Sequence, residues 1–320
     1  MNAARFRSLL VAGVLCLFCF YSVDKAKAKD QAPDLGSAFV RNGYRMASLQ
    51  HSKEKGFTLP AKINGRPAQL AISLSAPLST VFRQSSGAFR IRERKTGNRL
   101  NSALGPSTEE YGLSSDNSLE VTNMVMPATT FVVIDQFHIP AAQWHGIAGL
   151  LGEPELYRLA AILDCGNAKL YLRPTGRDDR VSDIIGQMLA ARGFVSVPMR
   201  INAAHHFEVS CRINQLQSVI TIEPSNGVTA ISDRVARAAG VALINELHTL
   251  TGAGGVRRTS RTGKISEFLI GSFRIPNANV SVSEATFGVL GFDQLQKGGA
   301  IIDLGAKRLY LRRRAIDAGH

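Results

Sequence analysis

The side chains best placed for chemistry are Ser73 and Glu223, because each ends an apolar, strand-like segment at an equivalent point of the chain. The two segments read Leu70-Ala-Ile-Ser73 and Ile220-Thr-Ile-Glu223. A glutamate can act as a general base toward water, and a serine can act as a nucleophile when a neighbouring base takes its proton. No histidine lies close to Ser73 in the sequence, so a structural serine is favoured over a nucleophilic one.

The segments that carry these residues belong to an internal repeat. Residues 149–173 align with residues 288–312 without a gap, and about a dozen of the 25 aligned positions are identical. Further upstream, residues 57–73 match residues 207–223 in their pattern. A repeat of this length indicates two similar domains in tandem rather than a solenoid.

Each domain is predicted to open and to close with a β-hairpin. Apolar and polar residues alternate through both opening segments, break at Asn64 and Asn214, and resume as second strands. The closing hairpins turn at Asp164-Cys-Gly-Asn and Asp303-Leu-Gly-Ala, where Asp and Gly favour a tight turn.

A long hairpin with a glycine-rich and basic tip is predicted in the second domain. The tip reads Gly252-Ala-Gly254-Gly255 and continues into arginines, and strand-like segments follow it. Gly254, Gly255, Arg257 and Arg258 are therefore the candidate residues of this hairpin tip.

The segment between the domains has a helical pattern. Val181, Ile184, Ile185, Met188 and Leu189 recur at the spacing of one helix face, which predicts an amphipathic helix joining two β domains. The predicted boundaries are a signal peptide over residues 1–28, an N-terminal extension over 29–56, a first domain over 57–176, a linker helix over 177–193 and a second domain over 194–315.

This order of elements resembles the retropepsin-like aspartic peptidases of bacteria. The shared features are the opening hairpin, a loop at the position of the family's Asp-[Thr/Ser]-Gly-Ala sequence, a flap, a Gly-x-Leu-Gly segment and a final strand reading Leu-Tyr-Leu-Arg. Members of that family are single domains that dimerise, whereas two copies lie in this chain, as in the pepsin-like arrangement. The resemblance implies an all-β fold of two tandem retropepsin-like β-barrel domains in a pseudo-twofold arrangement, with short helices and one linker helix.

The catalytic loops depart from the family's pattern. Aspartic peptidases need one carboxylate per half, and the two share a proton and hold the attacking water. Ser73 and Glu223 stand at the two aspartate positions, so the pair of carboxylates is lost. The family's bracing hydroxyl residue and its glycine are also replaced. The candidate residues of the altered loops are Leu74, Ser75, Pro224, Ser225 and Asn226.

A competing interpretation assigns catalysis to Asp164 and Asp303, which stand in repeated Asp-x-Gly sequences. In the resembled family this aspartate belongs to the closing hairpin and is not catalytic. An aspartate two residues before a glycine is also common turn chemistry. Turn formation is therefore the favoured interpretation.

The N-terminus has the features of an export signal. Arg5 and Arg7 precede an apolar run over residues 9–23, and Ala26-Lys27-Ala28 has the small-x-small form of a signal-peptidase site. Export to the periplasm or out of the cell is expected, and an uncleaved membrane anchor is the alternative.

Cleavage there leaves two cysteines, Cys165 and Cys211, one in each half of the chain. An oxidising compartment would permit a disulfide between the domains. Cysteine is also among the most frequently buried residues, and two buried thiols are the favoured prediction.

Composition restricts the partners. The net charge of +13 favours association with anions, acidic proteins or membrane head groups. The sequence lacks the mixed aromatic and basic platform typical of single-strand nucleic-acid binding, so no nucleic-acid partner is expected. It also lacks phosphate-loop, nucleophile-elbow and zinc-ligand spacings, so it predicts neither a metal nor a cofactor.

The favoured hypothesis is an exported, monomeric pseudopeptidase with an intramolecular pseudo-dimer, binding a peptide or protein segment between its domains. A basic flap formed by Arg257, Arg258, Arg261 and Lys264 favours an acidic segment. One alternative is a working hydrolase that uses Glu223 as a lone base or as part of a homodimeric site. Another is a structural envelope protein held by its N-terminus and its basic surface.

Overall fold

The structure is a computed structural model that describes residues 34–52, 56–102, 104–135, 146–251, 256–285 and 287–312. The predicted signal peptide, residues 1–28, lies outside the described residues, as do Gly254 and Gly255 of the predicted flap tip. In the described part of the chain, no helix is both long enough and apolar enough to span a membrane.

The first lobe contains mostly strands, with short helices at its connections. Residues 35–52, within the predicted N-terminal extension, already contribute a helix and two strands. The strands are β1 (Arg45–Ser48), β2 (Gln50–Ser52), β3 (Gly56–Ile63), β4 (Arg66–Ile72), β5 (Thr80–Phe82), β6 (Arg94–Ser102), β7 (Gly105–Val121), β8 (Met124–Ile134), β9 (Gly149–Leu151), β10 (Ile162–Asp164) and β11 (Lys169–Leu172). The helices are α1 (Leu35–Arg41), a 3-10 helix (Arg83–Phe89) and α2 (Glu153–Arg158).

The second lobe follows the helix α3 (Asp179–Ala191) and repeats the same order of elements. Its strands are β12 (Phe194–Pro198), β13 (Arg200–Ile201), β14 (Phe207–Ile213), β15 (Leu216–Ile222), β16 (Ala230–Ser232), β17 (Ala242–Thr251), β18 (Arg257–Ile270), β19 (Phe273–Ser283), β20 (Val289–Leu290), β21 (Ile301–Asp303) and β22 (Arg308–Arg312). Its short helices are α4 (Asp233–Ala238) and α5 (Phe292–Lys297).

Both lobes have one eight-stranded sheet with the same topology. The order is β2-β3-β4-β9-β5-β8-β7-β6 in the first lobe and β13-β14-β15-β20-β16-β19-β18-β17 in the second. In each, the second strand also pairs with the seventh, which closes the sheet toward a barrel. The same two strand pairs are parallel in both lobes, β4 with β9 and β5 with β8, and β15 with β20 and β16 with β19.

A third sheet joins the lobes and fixes their relation. It has the order β1-β11-β10-β21-β22-β12, with three strands from each lobe, and all of its pairs are antiparallel. Leu163 lies opposite Ile302 at its centre, and these two residues are equivalent in the internal repeat. The pseudo-twofold axis therefore passes between them. This arrangement confirms the predicted all-β fold of two lobes.

The predicted opening hairpins form because their sequences alternate and then turn tightly. In β14 the apolar residues are buried and the polar residues between them are more exposed, which gives the period of two that a half-buried strand requires. The turn between β3 and β4 has positive φ angles at Asn64 (50°) and Gly65 (76°), and Asn214 (51°) repeats the first of them. Asn and Gly are the residues that adopt these angles most readily in a two-residue hairpin turn.

The predicted linker helix is present as α3, which packs on the joining sheet. The Asp178 side chain caps its first turn by accepting hydrogen bonds from the backbone N–H groups of Arg180 and Val181, at 3.0 and 3.3 Å. Ile185 and Leu189 of the predicted apolar face are fully buried, whereas Ile184 is half exposed at the edge of that face. Phe39 of α1 belongs to the same apolar cluster, so α1 and the linker helix together cover this sheet.

The two cysteines are free and buried, as favoured from the sequence. Cys165 and Cys211 have 1% and 3% of their surfaces exposed and form no disulfide. Burial raises the pKa of the Cys211 thiol to about 12 and that of the Cys165 thiol still further. Both thiols therefore stay protonated and pack as small apolar groups.

Asp164 and Asp303 form the turns of the closing hairpins, as the sequence predicts. Asp164 accepts hydrogen bonds from the Asn167 backbone N–H at 3.0 Å and from the Asn167 side-chain amide at 2.8 Å. Asp303 Oδ1 accepts one from the Ala306 backbone N–H at 2.8 Å. Its Oδ2 has no hydrogen-bond partner within the described residues, although the side chain is fully buried. Burial raises the pKa of Asp303 from 3.8 to about 6, against the opposing effect of backbone N–H groups.

We predict that Asp303 makes the protein less stable as the pH rises. Asp303 keeps its proton up to about pH 6 in the folded state but only up to about pH 4 in the unfolded state. The folded state is therefore stabilised less and less as the pH rises from about 4 to about 6. Between pH values below 4 and above 6, this shift lowers the free energy of unfolding by about 3 kcal/mol. Asp303→Asn keeps the acceptor for Ala306 and should be more stable than the wild type at pH 7.5 by up to about 3 kcal/mol.

Urea unfolding at pH 4 and pH 7.5 measures this difference. Asp164→Asn is the matched control in the first lobe, because both Asp164 oxygens already accept hydrogen bonds. Asp164→Asn should show the same decrease in the free energy of unfolding from pH 4 to pH 7.5 as the wild type. If Asp303→Asn shows this decrease as well, a group other than Asp303 causes it.

Candidate site between the lobes

The ends of two buried strands bring Ser73 and Glu223 together. Ser73 follows β4 and donates its backbone N–H to the Leu151 carbonyl at 3.1 Å, which extends the parallel ladder with β9. Glu223 follows β15 and donates to the Leu290 carbonyl in the same way, also at 3.1 Å. The side chains then meet across the pseudo-twofold axis, where Ser73 Oγ donates a hydrogen bond to Glu223 Oε2 at 3.0 Å. We call residues 73–76 and 223–226 the inter-lobe site.

The Glu223 carboxylate accepts hydrogen bonds from both loops of this site. Besides Ser73, its Oε2 accepts the backbone N–H of Ser75 at 2.7 Å, and its Oε1 accepts the backbone N–H of Ser225 at 2.9 Å. Ser73 and Glu223 are only 5% and 6% exposed, so these bonds lie largely away from water. A carboxylate is an acceptor with two oxygens, and three donors from two lobes converge on it here. Glu223 therefore ties one lobe to the other.

The same geometry bears on aspartic-peptidase chemistry. That chemistry requires a second acid that shares a proton with the first, and the group facing Glu223 is the Ser73 hydroxyl. A homodimeric site built from two copies of Glu223 would require that the two lobes of one chain do not pair with each other. Here Ser73 and Glu223 of the same chain are paired, so that requirement is not met. The Ser73 hydroxyl, however, points at a carboxylate oxygen, which is the contact a base-assisted nucleophile would need.

The remaining loop residues support this contact without contributing titratable groups. Leu74 is fully buried in the apolar core, and Pro224 is buried at the equivalent position. Neither has a side-chain hydroxyl to brace the opposite loop. The exposed Asn226 closes its loop through the backbone, donating to the Glu223 carbonyl at 3.0 Å and accepting from Phe292 at 2.7 Å. Ser75 and Ser225 are partly exposed.

Two residues at the start of the opening hairpins touch the loop of the opposite lobe, and the sequence analysis missed both. Gly56 approaches the second lobe so closely that a Cβ atom on it would lie 2.8 Å from Ser225 Cα. The equivalent residue of the second lobe is His206, whose ring lies close to the Ser75 backbone and contacts Phe287 with ring centroids 5.3 Å apart. Their position directly before the repeated Phe57 and Phe207 was the available signal.

Burial lowers the pKa of His206, and the Glu223 and Glu208 carboxylates oppose this shift. A neutral imidazole at neutral pH suits a residue that is half buried between two loops. His206 therefore adds packing to the inter-lobe site rather than a fixed positive charge.

In each lobe a buried hydroxyl group is hydrogen-bonded to the Gly-x-Leu-Gly segment, and the sequence pattern did not predict this contact. Ser79 Oγ accepts the backbone N–H of Gly152 at 2.9 Å, and Thr229 Oγ1 accepts that of Gly291 at 3.0 Å. Both glycines are tightly packed, since a Cβ on Gly152 would lie 2.7 Å from Ser79 N and one on Gly291 would lie 2.4 Å from Val228 C. These contacts explain why the Gly-x-Leu-Gly segment occurs in both halves.

The hairpin predicted as a flap is formed by β17 and β18, and the first lobe has an equivalent hairpin in β6 and β7. Arg257 and Arg258 lie next to the tip at the start of β18, with Thr251 and Leu250 as their register partners. A Cβ atom on Gly105 at the start of β7 would lie 3.4 Å from Arg258 Nη2, so the two hairpins approach one another. The sequence pattern predicts only the second of these hairpins.

Comparison with known proteins adds little about chemistry. No protein-family model and no curated protein sequence matches the chain. Among solved structures, it is similar to conglutin gamma, a basic 7S globulin from lupine seeds, with a TM-score of 0.48 and 10% identity over 85% of this chain and 95% of that one. It is also similar to the basic 7S globulin from soybean, with a TM-score of 0.46 and 10% identity over 84% and 95% of the two chains. At these values the similarity carries no information about what the inter-lobe site does.

We predict that Glu223→Gln destabilises the protein by about 3 kcal/mol, because an amide nitrogen cannot accept the hydrogen bonds that one carboxylate oxygen now accepts. Ser73→Ala removes a single donor and should cost about 1.5 kcal/mol. Urea unfolding measures both. Glu120→Gln, which breaks a surface ion pair with Lys62, is the control and should cost less than about 1 kcal/mol. Equal effects at Glu223 and Glu120 would refute the role of Glu223 between the lobes.

We further predict that Gly56→Ala costs more than Gly65→Ala. Both glycines have positive φ angles, 63° and 76°, so both substitutions strain the backbone by about 1 kcal/mol. Only the Gly56 substitution also pushes against the Ser225 backbone, which should add about 2 kcal/mol, because Gly65 has no atom within 4 Å of its Cβ position. Thermal unfolding of the two variants checks this order, and equal melting temperatures would contradict it.

Proposed function

We propose that this chain is a non-catalytic relative of the aspartic peptidases that binds an extended peptide or protein segment between its lobes. The observation that carries the proposal is the set of three hydrogen bonds from Ser73, Ser75 and Ser225 to the Glu223 carboxylate. A carboxylate that accepts these bonds holds two loops together, and among the described residues the group that faces it is the Ser73 hydroxyl rather than a second acid that could share a proton.

Loss of the acid pair does not remove the surface around the site. The flap hairpins of both lobes approach one another at Arg258 and Gly105, and their backbones are suited to pair with an extended segment through main-chain hydrogen bonds. Arg257 and Arg258 near one tip favour a segment with acidic side chains. We propose that the ligand is an acidic peptide or protein segment bound by a monomer.

The place of action belongs to the same proposal. The basic and apolar N-terminal sequence supports export to the periplasm or beyond the cell, by a cleaved signal or an uncleaved anchor. The net charge of +13 also favours contact with an anionic membrane surface.

A second candidate function is hydrolysis, and one observation favours it. Ser73 Oγ lies 3.0 Å from Glu223 Oε2, so the carboxylate is within reach of the serine proton. In such an enzyme Glu223 would act as a base either toward Ser73 or toward water. Both routes lose their base in Glu223→Gln.

The test is a peptide library incubated with the purified chain from about pH 3 to pH 7, scored for binding and for cleavage, beside Glu223→Gln. We expect binding of extended acidic peptides and no cleavage at any pH. Cleavage that disappears in Glu223→Gln would overturn the proposal in favour of the hydrolase. Neither binding nor cleavage by a folded protein would also overturn it and would leave the structural envelope protein.

A further inference from the structure

Strand β17 is an exposed and apolar edge of the second lobe. It is the last strand in the order of its eight-stranded sheet, where β18 pairs with it from one side. Three large apolar side chains on this strand face solvent, because Leu243, Ile244 and Leu247 are 37%, 45% and 66% exposed. An edge strand presents backbone N–H and C=O groups to any extended segment that meets it.

The other edges of the two eight-stranded sheets are protected by features that β17 lacks. Strand β2 has three residues and β13 has two, which is too short to pair stably with a partner. Strand β6 is the equivalent of β17 in the first lobe, and it carries exposed Arg94, Lys95 and Arg99 and two irregularities of register. Charges and irregularities of this kind discourage pairing between edges. Strand β17 has no lysine or arginine; it carries the exposed Leu243, Ile244 and Leu247 among polar residues, and it has a single irregularity of register.

The strand behind this edge is strongly basic. On β18, Arg257, Arg258, Arg261 and Lys264 lie opposite Thr251, Leu250, Leu247 and Ala242 of β17. None of these four cations forms a salt bridge within the described residues. A second copy of the chain would bring a like set of charges to the edge, whereas an acidic segment would complement them.

We propose that the outer edge of β17 is a docking site for an extended acidic segment of a partner protein, which adds a strand to the sheet. Main-chain hydrogen bonds would hold the segment, the exposed leucines would pack against its alternate apolar side chains, and the β18 cations would attract its carboxylates. This edge belongs to the hairpin whose tip, with Arg257 and Arg258, the proposed function also uses. The docked segment would lie along the outer side of β17 and would not contact residues 73–76 and 223–226 of the inter-lobe site.

The experiment measures binding of a labelled peptide that alternates Asp or Glu with Val by fluorescence anisotropy. Its controls are the same peptide with Asn and Gln in place of the acids and one with a central proline. We expect the acidic peptide to bind, higher salt to weaken it, and both control peptides to bind about tenfold or more weakly. Leu247→Asp should weaken the acidic peptide about tenfold, whereas Val125→Asp, at a position 61% exposed in the other lobe, should leave it unchanged.

Hydrogen exchange then locates the peptide. Protection of the amides of residues 242–251 upon binding, with no added protection at residues 73–76 and 223–226, supports the β17 edge. Protection confined to residues 73–76 and 223–226 would place the peptide at the inter-lobe site and overturn this proposal without harming the proposed function. Equal binding of the acidic and the neutral peptide would also overturn the proposal. So would self-association of the wild type that Leu247→Asp abolishes, because the occupant of the edge would then be a second copy of the chain.

Discussion

The contact between the Glu223 carboxylate and the opposite loop is the interaction on which the arrangement of the site depends. Glutamate reaches across the pseudo-twofold axis and accepts hydrogen bonds from Ser73, Ser75 and Ser225, whose loops belong to different lobes. A buried carboxylate is costly unless donors surround it, so the three bonds and the burial support one another. Glu223, the residue that a hydrolase would use as its base, holds the two loops together. For this reason we favour binding of a segment over hydrolysis as the proposed function.

The lobes are symmetric in their framework and asymmetric at the site. Strand order, parallel pairs and the central register of Leu163 opposite Ile302 repeat from one lobe to the other. The supporting hydroxyls of Ser79 and Thr229 repeat as well. Asymmetry enters at the facing side chains, where one lobe supplies a donor and the other an acceptor. A symmetric pair of aspartates shares one proton between equals, whereas this pair forms a directed hydrogen bond.

Local patterns predicted the fold well because its hairpins are encoded in short segments. Alternation and the turns at Asn64 and Asn214 predicted the opening hairpins, and the Asp-x-Gly repeats predicted the closing ones. Contacts between distant segments carry no such local signal. The approach of Gly56 to Ser225 depends on how the two lobes meet, and so does the position of the His206 ring near the Ser75 backbone. The flap of the first lobe was missed because Leu100 to Gly105 lacks the glycine-rich tip of the second. The narrower kinship with bacterial retropepsins stays a prediction.

The most direct test of the central claim is an atomic-resolution crystal structure of the unliganded protein that places the water molecules around Ser73 and Glu223. The account predicts Glu223 Oε2 within about 3 Å of both Ser73 Oγ and Ser75 N, with no water inserted between the two side chains. A water hydrogen-bonded to Glu223 and to Ser73, in place of their direct contact, would contradict it and would supply the nucleophile of a hydrolase.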